Sequence, residues 1–356
     1  MKQFYQWTIT LPILASLLYM TNLIHDYAIL QLLAGALLIG SVMSAVHHSE
    51  IIAHRVGEPF GTIILAVAVT IIEVSVIISL MISSGSEGVT LARDTVFAAV
   101  MLILNGIVGM CLFLGGLKHH EQTFSAHSVR IALVSLVSIV VFTLILPSFT
   151  TTISGPYYST TQLLFASAVC VIIYASFLFA QTVRHREYFL TSNDSQESET
   201  PHKVSTRDFL ISTVFLLISL LIVVLLAKTL SPTIEKIVLG YHLPKTLVGI
   251  IIAAIILLPE GIAAIAAAKN NKLQSSLNLA LGSALASIGL TIPAVSLVCY
   301  AYNMEIILGL DSLSIILLML STFTVILSLN SGKSNVVYGT VLLVNLLAFI
   351  FLIVYP

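Results

Sequence analysis

The chain has 356 residues, of which 58% are hydrophobic and 9% are charged, and its formal net charge is −1. A soluble domain averages roughly 25% charged residues, so this composition predicts an integral membrane protein. The near-neutral charge and the lack of a basic stripe argue against a nucleic-acid partner. The sequence also contains neither a nucleotide-binding Gly-rich loop nor a GxSxG motif, so we expect no enzyme.

Apolar runs predict an all-α membrane protein with eleven transmembrane helices, because many runs reach the ~20 residues that cross the hydrocarbon core. The first run follows Lys2 but is too long for a signal peptide and lacks a cleavage site. Cys111, Cys170 and Cys299 lie far apart in apolar segments, so we predict neither a disulfide nor a metal site from them. The predicted helices cover about 7–24, 28–47, 59–83, 95–117, 129–148, 161–183, 208–229, 245–268, 274–301, 311–330 and 335–355.

Charged residues in the connections predict the orientation. Of the fifteen Lys and Arg residues, eleven fall on the side that includes the N-terminus and four on the other. The positive-inside rule therefore predicts a multi-pass protein of the inner (cell) membrane, with a cytoplasmic N-terminus and an external C-terminus.

A polar stretch over 184–207, rich in Ser, Thr and acidic residues, predicts a cytoplasmic linker. Five helices then lie on each side of it once the first is set apart. We predict an N-terminal helix over 1–26 and two five-helix repeats over 27–183 and 208–356. An odd number of helices per repeat forces the second copy to enter the membrane inverted, which is a known transporter design.

Two glutamates occupy matching positions in these repeats. Glu73 and Glu260 are 187 residues apart, and both lie in the middle of an apolar run. Downstream, LNGIVGMCLFLGG resembles GSALASIGLTIP, so that Asn105 matches Ser283 and Gly109 matches Ser287. The matching positions favour a shared ion site over the alternative, which is that each glutamic acid makes a structural interhelical hydrogen bond.

A carboxylate in the hydrocarbon region is costly and usually marks an ion or proton path. In apolar surroundings a carboxyl group holds its proton near neutral pH and can release it to a cation. We therefore predict that Glu73 and Glu260 bind cations and protons.

Several residues near the glutamates are candidate oxygen donors. Pro259 has no N–H and crowds the carbonyl of Ile255, which frees that oxygen as a ligand unless the proline only kinks the helix. Thr70 lies one turn before Glu73. The amide of Asn105 suits a hard cation, and Ser283, Ser287 and Gly109 lie on the same matched segments, although small and polar residues there also favour helix packing.

Histidines cluster at the predicted cytoplasmic face, where they suggest a pH sensor. Their spacing does not match a tetrahedral zinc site, and the alternative is that they are solvated residues at the membrane interface. They are His47, His48, His54, His119 and His120.

The ordered motifs HRVGEPFGT, TIIEVS, LNGIVG, LLPEGIAA and LNLALGSALASIGLTIP resemble those of the calcium/cation antiporter superfamily, and most of all the bacterial sodium/calcium–proton antiporters of the ChaA type. The resemblance runs from about residue 46 to 300 and implies an N-terminal helix, two inverted five-helix repeats and one ion-binding acid per repeat, here Glu73 and Glu260. It departs from vacuolar exchangers, which carry GNAxE where this chain has IIEVS and LPEGI, so the ligands of that Asn cannot be transferred.

From these features we expect a secondary antiporter that exports Ca²⁺ from the cytoplasm in exchange for protons and needs no cofactor. A Na⁺(K⁺)/H⁺ antiporter could use the same carboxylates, and a channel or membrane scaffold is a third alternative. Apart from the lipid bilayer, the expected partners are the transported ions, which are Ca²⁺ and protons. In the alternative antiporter, Na⁺ or K⁺ takes the place of Ca²⁺. Whether the protein forms a homo-oligomer stays open.

Overall fold

The computed structural model describes residues 4–57, 60–84, 88–189 and 204–355, in which the secondary structure is helical apart from an isolated antiparallel β-bridge between Thr123 and Lys333. The helices of the first part of the chain are α1 (Phe4–Met20), α2 (Ala28–Val56), α3 (Phe60–Ser84), α4 (Leu91–Met101), α5 (Val108–His119), α6 (Ala126–Val140), α7 (Thr160–Phe179) and the short α8 (Arg186–Phe189). Those of the second part are α9 (Thr206–Gly240), α10 (Thr246–Lys269), α11 (Leu273–Ala301), α12 (Ser312–Leu329) and α13 (Val336–Val354).

Within the described residues, nine helical segments are long and apolar enough to cross a membrane. One of them is the continuous segment Leu91–His119, in which α4 and α5 are joined by a π-helical stretch, Leu102–Ile107. Shorter apolar helices are present at Trp7–Met20 and Ala66–Ile82. The protein is therefore a multi-span helical membrane protein, and every predicted apolar run contains a helix.

Two helices extend well beyond their predicted ends. The second was expected to end near residue 47 and continues to Val56, and the seventh was expected to end near 229 and continues to Gly240. The added turns are amphipathic, so a search for unbroken apolar runs ends too early. Pro232 lies inside α9 without ending it, as proline can in a helix whose neighbours replace the lost hydrogen bond.

The predicted linker over 184–207 is only partly within the described residues, since 190–203 lie outside them. At its start, α8 is helical rather than irregular, and its Phe189 is buried while its carbonyl accepts a hydrogen bond from Asn278 Nδ2 at 2.7 Å. At its end, the Ser205 hydroxyl accepts from the Arg207 N–H and caps α9, a common way to satisfy a free helix N-terminus.

The chain divides into two compact units that do not coincide with the predicted repeats. The first unit comprises residues 1–88 and 199–259, and the second comprises 89–198 and 260–356. Each unit therefore takes helices from both sides of the linker. The division falls inside α10, between Pro259 and Glu260.

In the first unit, α2 is the central helix and packs against α1, α3 and α9. Buried hydroxyl groups join these helices: Ser44 Oγ donates to the Thr8 carbonyl at 2.6 Å and lies 3.2 Å from Ser219 Oγ. In an apolar environment such interhelical bonds satisfy groups that have no water to bind.

In the second unit, α11 is the central helix and packs against α4, the π-helical stretch, α5, α6 and α7. Glycines bring α5 and α13 unusually close. A Cβ at Gly109 would lie 3.1 Å from Leu342 Cβ, and a Cβ at Gly339 would lie 2.7 Å from the Gly109 carbonyl oxygen. Only glycine permits this approach of the two backbones.

Candidate functional site

Glu73, the predicted ion-binding acid of the first repeat, lies in the first unit and is buried. Its helix α3 packs against α2 and α9, and only 3% of its surface is exposed. Its helical neighbours Ile72, Val76 and Ile77 are at most 1% exposed. The side chain is therefore shielded from water, and a negative charge there is costly unless it is paired.

Thr70 lies one turn before Glu73 on the same helix and is 8% exposed. Its Oγ1 donates a hydrogen bond to the Ala66 carbonyl at 2.8 Å. The hydroxyl proton is thus used within the helix, while the oxygen retains lone pairs. Thr70 can therefore contribute an oxygen ligand without breaking its own hydrogen bond.

Ile255 and Pro259 belong to the part of α10 that lies in the first unit. Pro259 is buried and Ile255 is half-buried. Because proline has no N–H, it cannot donate to the Ile255 carbonyl as an ordinary helical residue would. The Ile255 carbonyl oxygen is the backbone atom that the sequence analysis named as a candidate cation ligand.

Glu260, the predicted acid of the second repeat, lies in the second unit, and 8% of its surface is exposed. The next residue, Gly261, faces Ile107: a Cβ on it would lie 3.4 Å from Ile107 Cδ1. Ile107 ends the π-helical stretch that contains Asn105. The residue after Glu260 therefore lies against the side chain that ends the stretch containing Asn105.

Asn105 is fully buried, and its amide has a defined orientation. Nδ2 donates to Ser321 Oγ at 2.8 Å, and the Ser321 hydroxyl in turn donates to the Leu317 carbonyl at 2.8 Å. Among the described residues, Asn105 Oδ1 has no hydrogen-bond partner. An unsatisfied buried oxygen is costly, and a cation would satisfy it.

Sequence reasoning missed two features of this arrangement. Ser321 was not predicted, and its only signal is a polar residue within the apolar run of α12. The π-helical stretch around Asn105 was also missed, because its sequence, LILNGI, has no feature that distinguishes it from an ordinary α-helix.

The remaining small and polar candidates lie on α11 and α5. Ser287 is 5% exposed and Ser283 is half-buried, and both lie on α11, which packs against the π-helical stretch. Gly109 has no side chain to bind an ion, and it lies directly against α13. The structure thus gives Gly109 a packing role, which was the alternative interpretation of that residue.

The five histidines have different environments. His48 is fully buried, its Nδ1 lies 3.2 Å from Ser212 Oγ and its ring stacks on Phe215, so it is not the solvated interface residue that one interpretation required. His47 is half-buried beside Trp7, and His54 is exposed.

His119 and His120 follow α5 in the second unit. His119 Nε2 lies 2.9 Å from the Lys269 carbonyl, to which Lys118 Nζ also donates at 2.9 Å, whereas His120 is exposed. A cation beside the last carbonyls of α10 complements the negative end of that helix.

Comparison with known proteins places the chain in one family. Residues 27–183 and 211–355 match the family described as sodium/calcium exchanger protein. The chain is 41% identical to a putative ionic transporter, y4hA, of Sinorhizobium fredii over 98% of its own length and 96% of the relative. It is 32% identical to the sodium-potassium/proton antiporter ChaA of Escherichia coli, over 87% of this chain and 84% of that protein.

A more distant relative and a solved structure agree with this assignment. The chain is 26% identical to the Ca²⁺/H⁺ antiporter ChaA of Bacillus subtilis over 76% of each protein. The fold matches the structure of native YfkE with a TM-score of 0.72 at 18% identity, covering 98% of this chain and all of the other. The chain therefore belongs to the sodium/calcium exchanger protein family, and with it to the calcium/cation antiporters, which are secondary transporters and not enzymes.

Proposed function

We propose that this protein exports cytoplasmic Ca²⁺ in exchange for protons, and that both ions bind the carboxylates of Glu73 and Glu260. The observation that carries the proposal is the burial of these two acids, 3% and 8% exposed, in helices that are otherwise apolar. A buried carboxylate is retained in a membrane protein only where its charge has a use.

Exchange follows from the charge of the proposed site. Two ionised carboxylates without a bound ion carry two buried negative charges, and this state is too costly to reorient across the membrane. Either two protons or one divalent cation neutralises both carboxylates. If only the neutralised states reorient, each Ca²⁺ that leaves must be replaced by protons.

The neighbouring oxygens suit Ca²⁺, which accepts 6–8 oxygen ligands in flexible geometry. Asn105 Oδ1 is the strongest additional donor because it is buried and lacks a hydrogen-bond partner among the described residues. Thr70 and the Ile255 carbonyl are further donors near the glutamates in sequence, and Ser283 and Ser287 are weaker ones. Mg²⁺ is disfavoured, since it demands a strict octahedron and gives up water reluctantly.

We further propose eleven membrane spans, with the N-terminal helix followed by two inverted repeats over 27–183 and 208–356. The distribution of Lys and Arg, eleven on one side and four on the other, supports a cytoplasmic N-terminus and an external C-terminus. With an inverted repeat, matched residues such as Glu73 and Glu260 approach the middle of the membrane from opposite sides.

Exchange of Na⁺ or K⁺ for protons is the second candidate. It is favoured by the relative from Escherichia coli, whose name is sodium-potassium/proton antiporter and which is 32% identical, against 26% for the Ca²⁺/H⁺ antiporter. A monovalent ion would neutralise only one carboxylate, so the other would keep its proton throughout the cycle.

Everted membrane vesicles with an imposed pH gradient test both candidates. Addition of Ca²⁺ should dissipate the proton gradient and load the vesicles with Ca²⁺, in proportion to the amount of protein. Responses to Na⁺ and K⁺ without a response to Ca²⁺ would favour the second candidate. Ion flux without proton movement would contradict both and indicate a channel.

A further inference from the structure

A groove between α6 and α12 lies on the surface of the second unit. Its volume is about 280 Å³. Val129, Leu133 and Leu329 form its buried floor, and Val134 forms an exposed wall. The complete lining is Ala126, Val129, Arg130, Leu133, Val134, Val137, Ser138, Ile326, Leu329 and Asn330.

Polarity changes along the groove. Arg130 and Asn330 lie together at one end, where Arg130 Nη2 donates to Asn330 Oδ1 at 3.3 Å. Toward the other end the lining is apolar except for Ser138, whose hydroxyl donates to the Val134 carbonyl of its own helix at 2.9 Å. The groove therefore has a cationic end, and the rest of it is apolar and has no hydrogen-bond donor available to a ligand.

The length of the groove along α6 corresponds to the distance from the membrane surface to the middle of the hydrocarbon core. Its α6 lining runs from Ala126, the first residue of that helix, to Ser138, which is about 18 Å at the helical rise. Arg130 is thus near the helix end, where a span meets the lipid headgroups, and Ser138 is near the middle of the hydrocarbon core.

The charge at the polar end is net positive. In the described part of the chain, the guanidinium of Arg130 has the neutral Asn330 as its partner and no acidic one. Glu121, in the connection that precedes α6, is paired with Lys333 at 2.9 Å. His127 contacts the ring of Tyr188. An anion can therefore approach Arg130 without displacing an existing ion pair.

We propose that the α6–α12 groove binds one acyl chain of an anionic phospholipid, whose phosphate is held by Arg130. A guanidinium binds two phosphate oxygens with parallel hydrogen bonds, and basic pockets between membrane helices bind such headgroups. A zwitterionic lipid also has a phosphate, but its headgroup cation is repelled by Arg130. This inference does not depend on the ion that the protein transports.

Native mass spectrometry of the purified protein in detergent tests the proposal, with dioleoyl phosphatidylglycerol and dioleoyl phosphatidylcholine added separately. The unaltered protein should retain phosphatidylglycerol preferentially. Arg130→Gln should weaken phosphatidylglycerol binding by about tenfold, the effect of losing one charge-assisted contact. Phosphatidylcholine binding should fall much less, because the lost phosphate contact is offset by the lost repulsion of the headgroup cation. Arg130→Lys should fall between the two, since it keeps the charge but loses the paired hydrogen bonds.

Two matched controls separate the groove from general lipid contact. Val134→Trp should fill the groove and reduce binding of both lipids, whereas Ile172→Trp should not, although Val134 and Ile172 are exposed to almost the same extent, 62% and 63%. Arg207→Gln removes an exposed arginine elsewhere and should have no effect. Equal lipid retention by Arg130→Gln and the unaltered protein, or no preference for phosphatidylglycerol, would overturn the proposal.

Discussion

The Asn105 amide nitrogen donates a hydrogen bond to the Ser321 hydroxyl at 2.8 Å, and this bond determines which amide atom remains available to another partner. Because Ser321 takes an N–H of Nδ2, the carbonyl oxygen Oδ1 is the atom without a partner among the described residues. The Ser321 hydroxyl keeps its own proton on the Leu317 carbonyl, so it can only accept from Asn105. The pair therefore presents an oxygen, the ligand that a hard cation needs.

Replacing Asn105 should weaken cation binding. Asn105→Leu removes Oδ1 while keeping the branching and the number of side-chain heavy atoms, and we expect the half-saturating Ca²⁺ concentration to rise by about tenfold, as for the loss of one polar contact. Initial rates of Ca²⁺ uptake into everted vesicles, measured over a range of Ca²⁺ concentrations, give this value.

Ser321→Ala and Ser283→Ala are the controls for Asn105. Ser321→Ala leaves the amide oxygen in place and should affect affinity less than Asn105→Leu. The effect of Ser283→Ala should also be smaller, because water or a backbone oxygen can replace a hydroxyl ligand. If Asn105→Leu transports Ca²⁺ with unchanged half-saturation, Asn105 is a packing residue.

Protons and Ca²⁺ should compete. If both bind Glu73 and Glu260, the apparent affinity for Ca²⁺ must fall as the pH is lowered through the range in which the carboxyl groups become protonated. If two protons exchange for one Ca²⁺, linkage lowers the apparent Ca²⁺ affinity by up to about a hundredfold for each pH unit of acidification. Ca²⁺ titrations of transport at several fixed pH values measure the slope, and a Ca²⁺ affinity that does not vary with pH would refute shared binding.

Glu73→Gln and Glu260→Gln should each abolish exchange almost completely. Glutamine keeps the shape of a protonated glutamic acid but cannot ionise, and one remaining carboxylate cannot neutralise a divalent ion. The control is Glu235→Gln, since Glu235 is half-buried, lies outside the proposed site and pairs with Lys245 at 3.1 Å. The control should transport normally, and strong pH-dependent Ca²⁺ transport by either site variant would contradict the mechanism.

The close contact of α5 and α13 should not tolerate a methyl group. A Cβ at Gly339 would collide with the backbone of Phe113 and lie 2.7 Å from the Gly109 carbonyl oxygen. We expect Gly339→Ala to destabilise the protein by about 1–3 kcal/mol, as overpacking does, and to lower the midpoint of a thermal melt in detergent. Gly282→Ala is the matched control because nothing lies within 4 Å of its Cβ, and it should be neutral or stabilising by up to ~1 kcal/mol.

The orientation can be tested with epitope tags. A tag inserted at residues 190–200 should be accessible only from the cytoplasm, and a tag after Pro356 only from outside, because the positive charges favour that arrangement. Protease protection in intact cells and in everted vesicles distinguishes the two sides. Accessibility of both tags from one side would exclude eleven spans and the inverted repeat together.

Sequence patterns predicted where the helices lie better than they predicted where the helices end. Runs of apolar residues locate the spans because any uninterrupted run of ~20 residues in lipid must form a helix to satisfy its backbone. The same reasoning failed where α2 and α9 continue as amphipathic turns to Val56 and Gly240. It also treated 184–207 as a uniform linker, although α8 begins at Arg186 and buries Phe189.

The sequence by itself determined the class of protein, the positions of the helices and the burial of Glu73 and Glu260, since each depends on residues within a few turns. Only the tertiary structure decided that Asn105 bonds to Ser321, 216 residues away, and that Gly109 packs against α13. It also decided that the compact units combine helices from both sides of the linker. The physical reason is that all the spans are similarly apolar. Their choice of neighbours therefore depends on small residues and single hydrogen bonds, which no local pattern identifies.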